Sequence, residues 1–218
     1  LLEIDSAVTV AKLQDLFKVG TAHSFRLSGE FRRNEFAIEG TGAEVSYDVF
    51  SIGGMWDWAI TDRISLVNAV RLDHLRLNRT GPFATPAAPY TNADYDRSIT
   101  EPSFNSGIVF KATEADTLRF TVARGVQVPS LSEYGLQQSM IVYGNPRIAP
   151  SIVTNYEFGY DRAVKEIDGS VRASVYYQTN DDMKARLNMG FANMTPFMTT
   201  DNVGDSKAVG FEVSAKGR

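Results

Sequence analysis

The sequence predicts an all-β fold: an antiparallel transmembrane β-barrel section of about nine strands, with short periplasmic turns and long extracellular loops. Three observations predict it. Apolar and polar residues alternate with a period of two along most of the chain, which puts successive side chains on opposite faces of a strand. The connections between alternating segments are short and long in turn. The segments have the right length, since about 10 residues at ~3.3 Å each and ~45° tilt span roughly 23 Å, close to the ~25 Å apolar band of an outer-membrane barrel.

Taken in order, residues 6–19 read as a strand of weak phase. In 23–34, Phe25, Leu27 and Phe31 oppose Arg26, Ser28, Glu30 and Arg32. Residues 43–60 change phase near Ser51, where Val45, Tyr47 and Val49 give way to Phe50, Ile52, Trp56 and Trp58. Residues 64–78 slip in the same way near Asp73. A one-residue slip turns every later side chain to the other face, so each predicts a β-bulge or a wrong boundary. Clean alternation returns with Phe104, Ile108 and Phe110; with Leu118, Phe120 and Val122; and with Tyr156, Phe158 and Tyr160. It continues through Val171, Ala173, Val175 and Tyr177, and ends with Val209, Phe211, Val213 and Ala215. Short connections fall near 20–22, 61–63, 114–116 and 166–169, and long ones near 37–42, 79–98, 127–152 and 179–205. No helix is expected beyond a helical turn that Ser130 and Glu133 are spaced to cap. Nine open strands leave two unpaired edges, which lipid does not tolerate, so further strands are expected on both sides.

Composition narrows the function classes. The chain is 43% hydrophobic and 22% charged, which excludes a disordered or collagen-like chain. A net charge of -4 without a basic stripe argues against nucleic acid as a partner. There is no cysteine, so a disulfide scaffold, a cysteine nucleophile and a cysteine zinc site are excluded. His23 and His74 lie in different strands and make no metal-ligand spacing. No Gly-x-Ser-x-Gly elbow or phosphate loop is present, so no enzyme, no cofactor, no catalytic set and no metal site is expected.

The candidate binding residues sit in the long loops. Tyr90 and Tyr95 lie in one, and Tyr134, Met140 and Tyr143 in the next; tyrosine offers apolar area with a polar tip. In the third, Met189, Phe191 and Met194 accompany Met183, Phe197 and Met198, soft side chains that suit an adaptable surface. The alternative reading of that loop is one packed on its neighbours. Trp56 and Trp58, beside a short turn, are placed for an interfacial aromatic girdle.

Residues 118–160 carry a family resemblance. Ala123 and Gly125 precede Pro129, Ser130, Leu131 and Glu133; then come Asn145, Pro146 and Pro150, followed by Asn155, Tyr156, Glu157, Gly159 and Tyr160. Asn202, Gly204, Gly210 and Glu212 form a second match. This pattern resembles the barrel of TonB-dependent outer-membrane receptors; Ile148 stands where that family usually has leucine. The resemblance implies that residues 1–218 are part of one barrel domain, of about 22 strands when complete, with the plug domain and the C-terminal strands outside it. It implies a location in the outer membrane of a Gram-negative bacterium and outer-membrane lipid, the plug and TonB with its inner-membrane energising complex as partners. The cargo it implies is a scarce small molecule, a ferric siderophore first. A passive porin-type barrel and a soluble all-β binding module remain as alternatives.

Overall fold

The computed structural model describes residues 4–38, 42–83, 88–135, 137–138, 142–192 and 194–217. In chain order the elements are β1 (Ile4–Val19), β2 (His23–Ile38), β3 (Ala43–Ala59), β4 (Ile64–Thr80), β5 (Arg97–Lys111), β6 (Asp116–Gln127), α1 (Leu131–Gly135), β7 (Gln137–Gln138), β8 (Val142–Tyr143), β9 (Ser151–Val164), β10 (Gly169–Ala192) and β11 (Thr195–Lys216). All the strands join one eleven-stranded sheet in the order β1-β2-β3-β4-β5-β6-β9-β10-β11-β8-β7. The nine long strands are the expected wall, each antiparallel to its chain neighbour. The two extra strands are a small hairpin inside the loop between β6 and β9, and β8 runs parallel to β11 through Met198 and Val142.

The short turns have local causes. The Thr61 hydroxyl accepts the backbone N–H groups of Arg63 and Ile64 at 3.2 and 3.0 Å, and Thr113 does the same for Ala115 and Asp116 at 3.1 and 3.0 Å. Gly20 takes a φ of 63°, which a side chain would strain. Thus β1–β2, β3–β4, β5–β6 and β9–β10 close tightly at one rim.

The long connections behave differently. The stretch expected as a loop at 179–205 is mostly strand, because β10 and β11 continue as a hairpin to Ala192↔Thr195. Its pairing shifts between Asn180 and Lys184 and again between Arg186 and Asn188. Alternation fails there for that reason, and the sequence reads as a loop. The expected helical turn is present as α1. The segment around α1 packs on β3 through Val45, while Asn145, hydrogen-bonded to Glu133 of α1 at 2.8 Å, also donates to the carbonyl of Thr200 in β11. β3 and β11 are six strand spacings apart, about 29 Å along a sheet. One compact segment touches both, so the wall curves around it.

The two expected phase slips are not bulges. The β3–β4 ladder runs without a break from Glu44↔Thr80 to Ala59↔Ser65, through Ser51↔Asp73, and both strands are equally continuous with β2 and β5. The apolar residues change faces while the backbone keeps its register. On the short-turn side, the outer face carries Phe50, Ile52, Trp56, Trp58, Ile64, Leu66, Val70 and Leu72, with Ile52 and Val70 68% and 63% exposed. On the long-loop side the apolar residues point inward: Val45, Leu75 and Leu77 are each 2% exposed, in a core with Tyr95, Tyr134 and Ile148. There the outer face is charged, and Arg33 pairs with Glu35, Asp48 and Glu44 at 2.8, 3.3 and 3.9 Å.

Candidate functional site

At the long-loop rim, the described residues of 81–96, of 128–150 and of the end of the β10–β11 hairpin form a folded cap over the inner face. Each piece has its own local logic. In the first, the Asp94 carboxylate accepts the Thr91 N–H at 2.8 Å and its hydroxyl at 2.9 Å, which caps a 3₁₀ turn that ends at the buried Tyr95. Arg79, 4% exposed at the end of β4, holds the segment down. Its guanidinium donates to the carbonyls of Gly81 and Pro82 at 3.1 and 3.0 Å and lies 3.6 Å from the centre of the Phe83 ring.

In the second piece, Pro129 is buried where the chain leaves the wall. Glu133 accepts the Ser130 N–H at 2.7 Å while Ser130 Oγ accepts the Glu133 N–H at 3.2 Å, a reciprocal cap on α1. Gly135 and Gly144 are sites of close approach, since a Cβ would stand 2.2 Å from Val45 and 2.3 Å from the Tyr134 carbonyl respectively.

Polar side chains lock the pieces together. The Asn145 amide donates to the Thr200 carbonyl at 3.1 Å and accepts the Arg147 N–H at 2.9 Å. Asn202 accepts the Ala149 N–H at 2.8 Å and donates to the carbonyls of Ala149 and Asp182 at 3.2 and 2.8 Å. Arg147 meets Asp94 at 2.9 Å, Arg97 donates to the Pro146 carbonyl at 2.6 Å, and Lys184, mostly buried, meets Glu133 at 3.3 Å. Asn145 and Asn202 stand out in the sequence as motif residues; their work as staples appears only in three dimensions. Arg79, Arg97 and Lys184 carry no sequence signal that separates them from surface cations.

The ionisation of the cap follows from these contacts. The Thr91 N–H, then the Arg147 guanidinium and the Thr91 hydroxyl, hold the Asp94 carboxyl below its usual range. Burial works against Glu133, but the N–H and hydroxyl of Ser130 with the Lys184 ammonium outweigh it and lower its pKa. Burial pushes the phenols of Tyr95 and Tyr134 well above the ordinary value. Among the described residues the Tyr134 hydroxyl has no hydrogen-bond partner.

The expected binding residues divide. Tyr95, Tyr134 and Tyr143 lie inside the cap, 2%, 0% and 5% exposed. Tyr90 is half-buried; its ring and that of Tyr143 meet Phe197 edge-on at 6.5 and 6.2 Å. Met189, Phe191 and Met194 are exposed at the hairpin end. Met140 falls outside the described residues. Trp56 and Trp58 stand far from the cap, on the outer face beside the turn at 60–63. They stack at 5.3 Å with Phe17, Phe25 and His23 continuing the stack, and Trp56 Nε1 donates to His23 Nδ1 at 3.1 Å.

Below the cap the inner face turns polar. Arg71 joins Glu30, Ser51 and Asp73 at 3.2, 2.8 and 2.8 Å, and Glu30, Arg71 and Asp73 line a 170 Å³ cavity together with Tyr47, Val49, Leu75, Ile99 and Val128. Among the described residues, no group of three His, Cys, Asp or Glu side chains is placed to hold a metal ion. The arrangement offers shape, apolar area and hydrogen bonds at the long-loop rim.

The family model described as TonB dependent receptor-like, beta-barrel matches residues 6–218. The chain belongs to the TonB-dependent receptor β-barrel family. Solved structures agree on the fold. The copper transporter OprC superposes with a TM-score of 0.73 at 17% identity, over 99% of this chain and 37% of that one. The FrpB iron transporter from Neisseria meningitidis (F3-3 variant) gives 0.70 at 13%, over 100% and 34%. The siderophore receptor PirA from Pseudomonas aeruginosa gives 0.69 at 11%, over 96% and 36%. The chain therefore spans just over a third of the length of these TonB-dependent receptor-like structures. No curated protein is similar enough in sequence to match. Two family-motif glycines also find their reason. Gly210 faces Tyr176 directly across the strands, where a Cβ would stand 2.3 Å from that ring, and Gly159 lies beside the Arg119 guanidinium. The room they leave is filled by neighbouring side chains.

Proposed function

We propose that this chain is part of the barrel wall and mouth of an outer-membrane active-transport receptor of a Gram-negative bacterium, energised through TonB, with a ferric siderophore as cargo. The observation that carries the reading, beyond family membership, is the cap. A passive pore needs an open mouth, whereas here two loops and a hairpin build a hydrogen-bonded core across the inner face. A folded cap over the inner face of the wall suits a receptor that takes up its cargo under drive better than an open pore. A siderophore is supported by relatives of the same fold, such as the siderophore receptor PirA and the ferric yersiniabactin uptake receptor FyuA from Yersinia pestis.

In this reading the exposed apolar outer band faces lipid, and Trp56 and Trp58 mark its periplasmic edge. The polar inner face around Glu30, Arg71 and Asp73 meets the plug domain of the complete receptor. Further strands cover the free edges of β1 and β11. Cargo first meets Tyr90 and Phe191 at the mouth, and Tyr95, Tyr134 and Tyr143 support that surface from within. The test is uptake of radiolabelled ferric siderophores by cells carrying the complete receptor, with and without TonB. Uptake that stops without TonB or after collapse of the proton gradient is the expected result. Equal uptake in both strains would return the barrel to the passive class, and TonB-dependent uptake of haem or a glycan alone would replace the cargo.

A further inference from the structure

The outer face of β1 to β5 holds few polar side chains at the height of the apolar band. Three rows of cross-strand pairs lie between the Trp58 row and the Phe50 row. The polar side chains in them are Asn68, Ser106 and Asp15. Asn68 and Ser106 are direct cross-strand partners and satisfy each other, the Ser106 hydroxyl donating to Asn68 Oδ1 at 2.6 Å. Asp15 stands in the middle row, in line with Leu27, Gly54, Val70 and Phe104, and points outward with Leu13 and Phe17. It is exposed, and among the described residues no side chain meets it as an ion-pair or hydrogen-bond partner.

An ionised carboxylate accepts hydrogen bonds and donates none, so whatever satisfies it must donate. Facing hydrocarbon without such a neighbour it is costly. The same wall shows how an outward carboxylate is held. Asp116 shares a face with Leu118 and Phe120, and Arg162, directly opposite on β9, meets it at 3.1 Å. On one side of Asp15 the place is taken, because β2 sets Leu27 opposite it, between Phe25 and Gly29. The other edge of β1 has no strand beside it among the described residues. A strand laid there puts the residue opposite Asp15 on the same outward face, with Cβ atoms about 4.5–5.5 Å apart.

We propose that the strand of the complete barrel that pairs with the free edge of β1 carries an arginine or lysine opposite Asp15, so that an ion pair sits within the apolar outer band and fixes the register of that seam. A slip of one residue turns the cation to the inner face and leaves Asp15 alone in the band, so the pair holds one register only. The proposal rests on the reading of this chain as barrel wall and is independent of the cargo.

The complete receptor, folded into phospholipid bilayers, would be unfolded with urea. Asp15→Leu should lower its folding equilibrium constant at least roughly tenfold, because a cation is left facing lipid without its partner. Asp15→Asn, which keeps a hydrogen-bond acceptor, should fall between the two. A folding constant that Asp15→Leu raises or leaves unchanged would overturn the ion pair, since removing a lone carboxylate from lipid stabilises the wall. Where the variant does not fold, disulfide trapping gives the answer. Asp15→Cys would be combined with cysteine at each outward position of the adjoining strand in turn, and the membranes oxidised; this chain contributes no cysteine of its own. The expected cross-link forms at a position natively held by arginine or lysine. Cross-links only at positions natively held by other residues would overturn the proposal and leave the barrel reading intact. No cross-link to any neighbouring strand would overturn both, because β1 would then be a bare edge.

Discussion

β3 and β4 each live in two environments, and the two halves of these strands obey opposite rules. Near the short turns, apolar side chains point out and polar ones in: Phe50 to Trp58 and Ile64 to Leu72 form the outer band while Ser51, Arg71 and Asp73 face inward. Beyond Ser51 and Asp73, Val45, Leu75 and Leu77 point in and Glu44, Asp48 and Arg76 point out. The backbone does not slip between the two. In the proposed reading, what changes is the surroundings on each side: from lipid outside and a polar interior to water outside and a protein core inside. In that reading, an apparent phase change in one strand marks the membrane boundary when its neighbour changes at the same paired position. The outer band on β3 spans nine residues from Phe50 to Trp58, about 20 Å at ~3.3 Å per residue and ~45° tilt, which suits an outer membrane.

The strongest way to break this comparison is a charge on the inward face under the cap. Leu75→Arg should cost about 3–5 kcal/mol, the penalty of a buried charge without a partner. Hydrogen exchange of residues 128–150 should accelerate with it, and changing the lipid should not alter the cost. The same substitution on the outer band, Phe120→Arg, should cost about 2–4 kcal/mol near the midplane of a bilayer. That penalty should shrink when lipid is replaced by detergent micelles, measured as the urea dependence of folding. Equal responses of both sites to the lipid would erase the distinction between the halves.

The smallest effect concerns acid. Asp94 and Glu133 have folded pKa values below their unfolded ones, so their contribution is fully present above about pH 4–5 and is lost as pH falls through the lowered values. Acidification below pH ~4 should loosen the cap, seen as faster proteolysis within 128–150, while the wall stays protected. A wall that opens first would contradict the assignment of these carboxylates to the cap alone.

Much of this was legible in the residues. Alternation marks the nine wall strands because a wall between two unlike media sorts side chains by face. The Ser130 and Glu133 spacing marks α1 because that cap is a local structure. Legibility fails where partners are distant. β10 and β11 beyond Asn180 read as a loop because the shifts in their pairing break the period. The cap tyrosines stand out as binding candidates by type, yet Tyr134 and Tyr143 are buried by residues more than 50 positions away, such as Tyr47 and Phe197, and Tyr95 by Phe83 and Leu75. Arg79 and Lys184 look like solvated cations until the loops that enclose them are folded.

The sequence by itself determined the strand count of the wall, the two unlike faces, the short-turn rim and the family, since each depends on near neighbours in the chain and on the two-residue period. Only the tertiary structure decided which face is apolar at which height and that the long loops close into one cap. Those facts depend on what stands opposite each side chain across the curved wall, and the chain places those partners tens of residues apart.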